Sequence, residues 1–374
     1  MGVGAPRAGS GLLGGGGGRV VIDVCVSTHD NRRELPEVLD SLSPLRGALD
    51  GAVRVFDNGS TDGGPEWVRR SRPWAEVREL GANLGPAASR NAALRVPGGD
   101  WILLLDGDCA LAPDCLDALL RERDAYPAEV YSPRIVYAAD PGRIYYDAGA
   151  AHFLGLLCLE NAHTPEAEAV RPTRVPGAVS TSALLVARNA ALRAGLFDED
   201  YFFCGEDLDF SLRLRALGGR LRHVPEAVVL HHKPLPGSEA EAAARARRSG
   251  ERCRRQGPNR WRTLLKVCRA GTLLRLAPAH LAYAALEGLD ALRQGGGLEY
   301  LRGLSEVLWD LPSILRARGR VQASRTTEDA VLFGAPALSW RPEVQALPGA
   351  RSLKRALERL GGALWLFVAF LDGN

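Results

Sequence analysis

The run Trp101-Ile-Leu-Leu-Leu-Asp106-Gly-Asp108 constrains this chain more than any other segment. A short, unbroken apolar run reads as a strand covered on both faces of a parallel sheet, since a half-exposed strand would alternate. Its carboxyl end is where an open α/β sheet places ligands. Two carboxylates there are costly to bury unless something positive meets them. A divalent cation carrying a diphosphate would do so, because hard oxygen ligands suit Mg2+ or Mn2+. An Asp-Gly turn with a solvated second aspartate is the other reading.

The preceding segments repeat a strand-then-helix rhythm. Val20 to Val26 and Val53 to Phe56 are strand-like, as is Val77 to Leu80; helical spacing covers Glu34 to Leu42, the stretch after Pro65, and the stretch through Arg90 to Leu94. Such alternation argues a mostly parallel sheet built from right-handed crossovers and flanked by helices. Further on, Ala183 to Val186 is a strand and Leu208 to Leu217 a helix closed by Gly218-Gly219. Arg220 to Pro225 and Ala227 to Leu230 read as a last strand pair ending in His231-His232. Beyond Pro234 and Pro236 the pattern turns helical: a basic helix from Glu239 to Arg255, a cationic and leucine-rich stretch from Trp261 to Leu276, then amphipathic helices over 281–292 and 298–315.

The 374 residues suit one large domain with an appendage. Residues 1–18, Gly-rich and without the apolar core of a signal peptide, read as a disordered leader; 19–235 form the α/β domain and 236–374 a helical region. Seven cysteines without paired spacing fit reduced thiols in a cytoplasmic protein. A net charge of +3 gives no case for nucleic acid, and the arginine cluster has no aromatic stacking platform beside it. No segment reaches the roughly 20 apolar residues needed to span a bilayer; the apolar stretch Ala363 to Leu371 suits a buried helix end or an interfacial anchor.

Four more clusters fall beside strand ends. In Asp57-Asn58-Gly59-Ser60-Thr61-Asp62-Gly63 a short carboxylate can accept from a base or ribose, or close an Asx-turn. In Asn83-Leu-Gly-Pro with Arg90-Asn91, the arginine suits a phosphate or a site carboxylate, or plain solvent. Glu206-Asp207-Leu-Asp209 packs three acids closely enough to raise at least one pKa, which suits a general base; acids also favour a helix's first turn. His231-His232 can complete a metal shell or be structural.

Taken in order, these motifs resemble the family 2 inverting glycosyltransferases with the GT-A (Rossmann-like) fold, in particular the rhamnosyltransferase-like members. The resemblance spans Val20 to Lys233 and includes Gly195-Leu-Phe-Asp-Glu199. It implies sugar transfer from a nucleotide-diphosphate sugar to a hydroxyl on a polysaccharide or lipid-linked acceptor, as in cell-surface assembly. It also implies residue roles. Thr28, Asp57, Asn58, Asp62, Asn83, Arg90 and Asp106 would contact the nucleotide-sugar. Asp108, Asp106 and His231 would hold Mg2+ or Mn2+, with His232 as the substitute. Asp207 would be the catalytic base, beside Glu206.

The arginines from Arg245 to Arg255, followed by Trp261, Leu264 and Leu265, fit peripheral contact with an anionic membrane at the cytoplasmic face, or else a solvated helix packed on the catalytic domain. Two other function classes stay open. A catalytically degenerate nucleotide-sugar binder is opposed by the intact acid pairs. A nucleotidyltransferase would expect a Gly-rich, Lys-containing phosphate loop after the first strand, where Thr28-His29-Asp30-Asn31-Arg32 supplies neither residue.

Overall fold

The computed structural model describes residues 21–47, 49–338 and 348–372; the Gly-rich leader expected over 1–18 lies outside them. Four parallel strands, β1 (Ile22–Thr28), β2 (Asp50–Asp57), β3 (Glu76–Glu79) and β4 (Trp101–Asp106), lie in the order β3-β2-β1-β4. The helices α1 (Leu35–Leu42), α2 (Gly64–Ser71) and α3 (Pro86–Arg95) connect them. The short edge strand β3 carries Glu76, Arg78 and Glu79, which guards an otherwise open edge.

Past β4 the sheet becomes mixed. β5 (Cys109–Leu111), β6 (Val130–Tyr137) and β10 (Ala183–Ala187) join it, with β10 antiparallel to both β4 and β6. β11 (Leu221–His231) pairs in parallel with β6 and antiparallel with β5. β7 (Asp140–Tyr146) hangs from β6, and β8 (Gly149–His152) with β9 (Leu156–Leu159) forms a separate hairpin. The apolar run of β4 behaves as a doubly covered strand should. Leu103 and Leu105 belong to one core, while Ile102 and Leu104 belong to another.

Where a strand pair was expected near the end of the sheet there is one strand. β11 absorbs Pro225 in an irregularity between Val224 and Val228, so pairing resumes after the proline instead of stopping. The basic helix likewise does not end near Arg255. α7 (Glu239–Val267) runs through Pro258, a residue that usually interrupts a helix.

Within the sheet domain lie α4 (Cys115–Ala125) and α5 (Arg188–Arg193); after α7 come α8 (Ala270–Arg293), α9 (Gly297–Trp309), α10 (Leu311–Ser324), α11 (Asp329–Leu332) and α12 (Ala350–Asp372). They do not stand apart from the sheet domain. Leu208 and Leu212 of α6 (Glu206–Ala216) share a core with Leu264 and Val267 of α7, Leu276 of α8 and Trp365 of α12. Among the described residues no helix is long and apolar enough to cross a membrane.

Candidate active site

The strand ends bring the first group of candidate residues side by side. Thr28 is in register with Asp57, and Ser27 with Asp106. Gly107 packs against Thr28 so closely that a Cβ would lie 2.9 Å from its Oγ1, which explains the glycine between the two aspartates. Asp57 closes the turn of its motif with one carboxylate oxygen only. Its Oδ2 accepts from the amides of Gly59 and Ser60, each at 3.1 Å, while its buried Oδ1 has no partner.

Asn58, Asn83 and Asp62 bind loop to loop. Asn58 accepts from the Leu84 amide and donates to the Gly85 carbonyl, both at 2.9 Å. Asn83 accepts from the Gly85 amide at 3.1 Å. Exposed Asp62 accepts from the amides of Arg32 and Gly64 at 2.7 and 3.0 Å, so the loop after β1 is fastened to the start of α2.

Arg90 is 3% exposed and points inward from α3. It donates to Asp106 at 2.7 Å, and its other terminal nitrogen lies 3.5 Å from Glu206. Of its possible partners the fold therefore supplies a site carboxylate. Burial pushes the Asp106 carboxyl up, with Arg90 opposing.

Asp108 sits one turn further on, opposite the end of β11. His231 Nε2 lies 3.1 Å from its Oδ1, and Lys233 donates to its Oδ2. Burial alone would raise the Asp108 pKa; His231 and Lys233 outweigh it and hold the carboxyl well below the usual range. His231 is buried, packs edge-on against Tyr145 at 5.1 Å between ring centroids, and leaves Nδ1 without a partner. His232 faces away, with Nε2 3.3 Å from Glu37, as strand alternation requires. Asp108, His231 and Cys109 place ligand atoms within 4.8 Å of one another. A carboxylate and an imidazole suit Mg2+ or Mn2+; the Cys109 thiol, kept protonated by burial, does not.

Glu206 and Asp207 open α6. Burial and the Asp207 charge push the Glu206 carboxyl up to about 7 against the pull of Arg90, and Asp207 is raised as well. Glu206 Oε2 is buried without a partner. Asp209, the third acid of the cluster, serves the fold instead. It accepts from Arg213 at 2.8 Å and pairs with Lys266 of α7 at 2.7 Å.

The sequence reading missed two residues at this site. Lys233 lies two positions past His231, so alternation places the two on one face, though not against Asp108 in particular. Asn259, buried in α7, donates to the carbonyls of Tyr201, Phe203 and Cys204 at 3.0, 3.0 and 2.7 Å. These residues form the loop that enters the acid pair, and Phe202 and Cys204 in it hold positive φ. No local sequence pattern announces that clamp.

A sheet of this order, with an Asp-Gly-Asp edge facing an acid pair at a helix start, defines a GT-A glycosyltransferase. The chain belongs to glycosyl transferase family 2, whose profile matches residues 23–190. It is 34% identical over 238 residues to the N-acetylglucosaminyl-diphospho-decaprenol L-rhamnosyltransferase of Mycobacterium tuberculosis, covering 57% of this chain and 76% of that protein. It is 33% identical over 213 residues to the pre-mycofactocin glycosyltransferase of the same organism, covering 56% of this chain and 42% of that protein. The crystal structure of GalNAc-T7 with UDP, GalNAc and Mn2+ shares the fold, with a TM-score of 0.53 and 16% identity over 79% of this chain and 58% of that one.

Proposed function

We propose that this glycosyltransferase moves a sugar from a nucleotide-diphosphate sugar to a hydroxyl of a lipid-linked acceptor, with inversion at the anomeric carbon. One observation carries the reading. Arg90 joins Asp106, on the Asp-Gly-Asp edge, to Glu206, on the acid pair, so the donor and acceptor sides meet across a single guanidinium.

The unpaired Asp57 oxygen is the acceptor for the base, with Thr28, Asn58, Asn83 and Asp62 shaping the loops around the nucleotide. Asp108 and His231 would hold Mg2+ or Mn2+, with Asp106 behind them on Arg90. A bound divalent ion supplies charge to a leaving diphosphate. Lys233 already brings a positive charge to the same place. Asp207 accepts the proton of the acceptor hydroxyl as its oxygen attacks the anomeric carbon, and burial, with the Asp106 charge, raises its proton affinity. Direct displacement places the new bond on the face opposite the one that breaks.

The lipid-linked acceptor is favoured by the printed substrate of the rhamnosyltransferase relative. A position at the cytoplasmic face of a membrane is favoured by α8, whose exposed Leu274, Leu281, Leu289 and Leu292 fall on one helical face. In α12, exposed Arg351, Arg355 and Arg359 accompany exposed Leu353, Leu360 and Phe367, the composition of a helix that lies on an anionic surface.

A screen of uridine, thymidine and guanosine diphosphate sugars, read as release of the nucleoside diphosphate with and without Mn2+, tests the reading. Metal-stimulated release from at least one donor is expected. Binding of every nucleotide without turnover in the presence of a polyprenyl-diphosphate sugar would favour a degenerate binder.

A further inference from the structure

The loop that enters the acid pair is held by α7, whose arginines are not equivalent. Arg245 pairs with Glu241, Arg254 with Glu306, and Arg255 with both Glu251 and Glu306. Among the described residues no carboxylate pairs with Arg248 or Arg252, which stand one helical turn apart. Both charges reach the Cys204 thiol, as do those of Glu206 and Asp207. Arg252 also acts on Tyr145, the ring packed on His231. α7 packs on that loop through Asn259 and through Arg255, whose guanidinium lies 5.4 Å from the Phe202 ring, so two unneutralised guanidiniums lie near the reaction centre.

Arg252 has a second neighbourhood. It lines a half-open cavity of about 580 Å3 bordered by α7, α8, α9 and the start of α12. The wall includes Tyr283, Leu286, Leu289, Tyr300 and Leu353. Its Glu287 is paired with Arg260 and its Asp290 with Arg293, so these acids do not repel an anion as free charges would. Leu289 belongs both to this wall and to the exposed leucine face of α8. A chamber with a mostly apolar surface thus lies between the leucine-rich face of α8 and unpaired Arg252, with Arg248 one turn away along α7. Guanidinium forks suit diphosphate oxygens, and an apolar chamber of this size suits a hydrocarbon chain.

We infer that this cavity is the acceptor site for an isoprenoid diphosphate, with the chain among Tyr283, Leu286, Leu289 and Leu353 and the diphosphate on Arg248 and Arg252. The inference rests on the reading of a lipid-linked acceptor and assigns it a place. The sugar beyond that diphosphate is then carried toward Asp207.

Calorimetric titration of the full chain with farnesyl diphosphate, inorganic pyrophosphate and farnesol tests this, with uridine and thymidine diphosphate titrated separately. Farnesyl diphosphate is expected to bind roughly tenfold or more tighter than either fragment, and excess nucleoside diphosphate should not displace it. The Arg248→Ala/Arg252→Ala double variant is expected to lose roughly tenfold or more for farnesyl diphosphate and nothing for nucleoside diphosphate. Leu286→Gln should weaken farnesyl diphosphate and leave pyrophosphate unchanged. Equal affinity of wild type and double variant for farnesyl diphosphate would overturn the inference, as would pyrophosphate binding as tightly as farnesyl diphosphate or displacement by nucleoside diphosphate. Farnesyl diphosphate binding as expected in a chain that binds no nucleoside diphosphate would support the site and count against the donor half of the proposed function.

Discussion

Arg90 donates to Asp106 at 2.7 Å from a helix that also brings it within 3.5 Å of Glu206. The contact ties the end of β4 to the start of α6, two elements that carry different halves of the proposed chemistry. Removing the guanidinium would leave two acids facing each other in a poorly solvated place. Breaking a buried pair costs about 3–5 kcal/mol, and the 28% exposure of the Asp106 side chain puts Arg90→Ala at the low end, about 3 kcal/mol. Arg90→Lys keeps the charge without the fork and should fall between. Urea unfolding of the three proteins gives the order directly.

The acid pair sets a pH dependence. Glu206 is pushed up to about 7 and Asp207 is raised with it. The base works ionised and the carboxyl beside it titrates near 7, so kcat/KM should still change with pH in the neutral range instead of being level above pH 5. Glu206→Gln removes the carboxyl that titrates near 7 and should flatten the part of the profile that lies there. An unchanged pH–rate profile would remove Glu206 from this role.

With a divalent cation held as proposed, Lys233 would compete with it for the Asp108 carboxylate. Lys233→Met should therefore tighten Mn2+ binding, while Asp108→Asn should weaken it strongly. Mn2+ titration followed by electron paramagnetic resonance separates these effects from turnover. Weaker binding in Lys233→Met would show that the ammonium assists the ion instead of opposing it.

Asn259 links the helical region to catalysis. Its amide holds three carbonyls of a loop in which Phe202 and Cys204 carry positive φ, a conformation that costs of order 1–3 kcal/mol per residue unless the surroundings enforce it. Asn259→Ala should lower kcat by about 10²-fold, as misplacing a reacting group by about 1 Å does, with little change in donor KM. Asn259→Asp cannot donate and should not rescue it. Equal losses in kcat and donor affinity, with a broadened melting transition, would indicate general destabilisation.

His280 of α8 is 1% exposed, and neither ring nitrogen has a partner. Burial, with the charges of Arg260 and His152, depresses its pKa from 6.5 to about 4, and burial lowers His152 equally. The unfolded chain takes up these protons first, so folding stability should be full above pH 6.5 and fall as pH drops toward 4. His280→Phe removes one titrating site and a buried polar ring without partners. It should flatten that loss without lowering the melting temperature at pH 7.5. An acid slope identical to wild type would place the sensitivity elsewhere.

Much of this was legible in the sequence because short, self-contained signals carried it. The apolar run of β4 and the strand–helix alternation before it identify the parallel half of the sheet without any long-range information. His231 is distinguishable from His232 only once the facing strand is known, because alternation says that they point apart and not which one points at Asp108. β7, β8 and β9 escaped notice because their short stretches, such as Gly149 to His152, lack a sustained period. Continuous helix through Pro258 also defied local propensity; tertiary packing of Leu264 and Val267 on α6 carries that segment. Arg90 and Asn259 could be placed only by the fold, since their partners lie far away in the chain.

The central claim is that Asp207 removes the acceptor proton at a site that binds the donor independently. Asp207→Asn, assayed for nucleoside diphosphate binding by calorimetry and for glycosyl transfer to a polyprenyl-diphosphate sugar, tests it most directly. The account predicts binding within a few-fold of wild type and transfer reduced by about 10²-fold or more. Undiminished transfer by Asp207→Asn would contradict it and move the base to another residue.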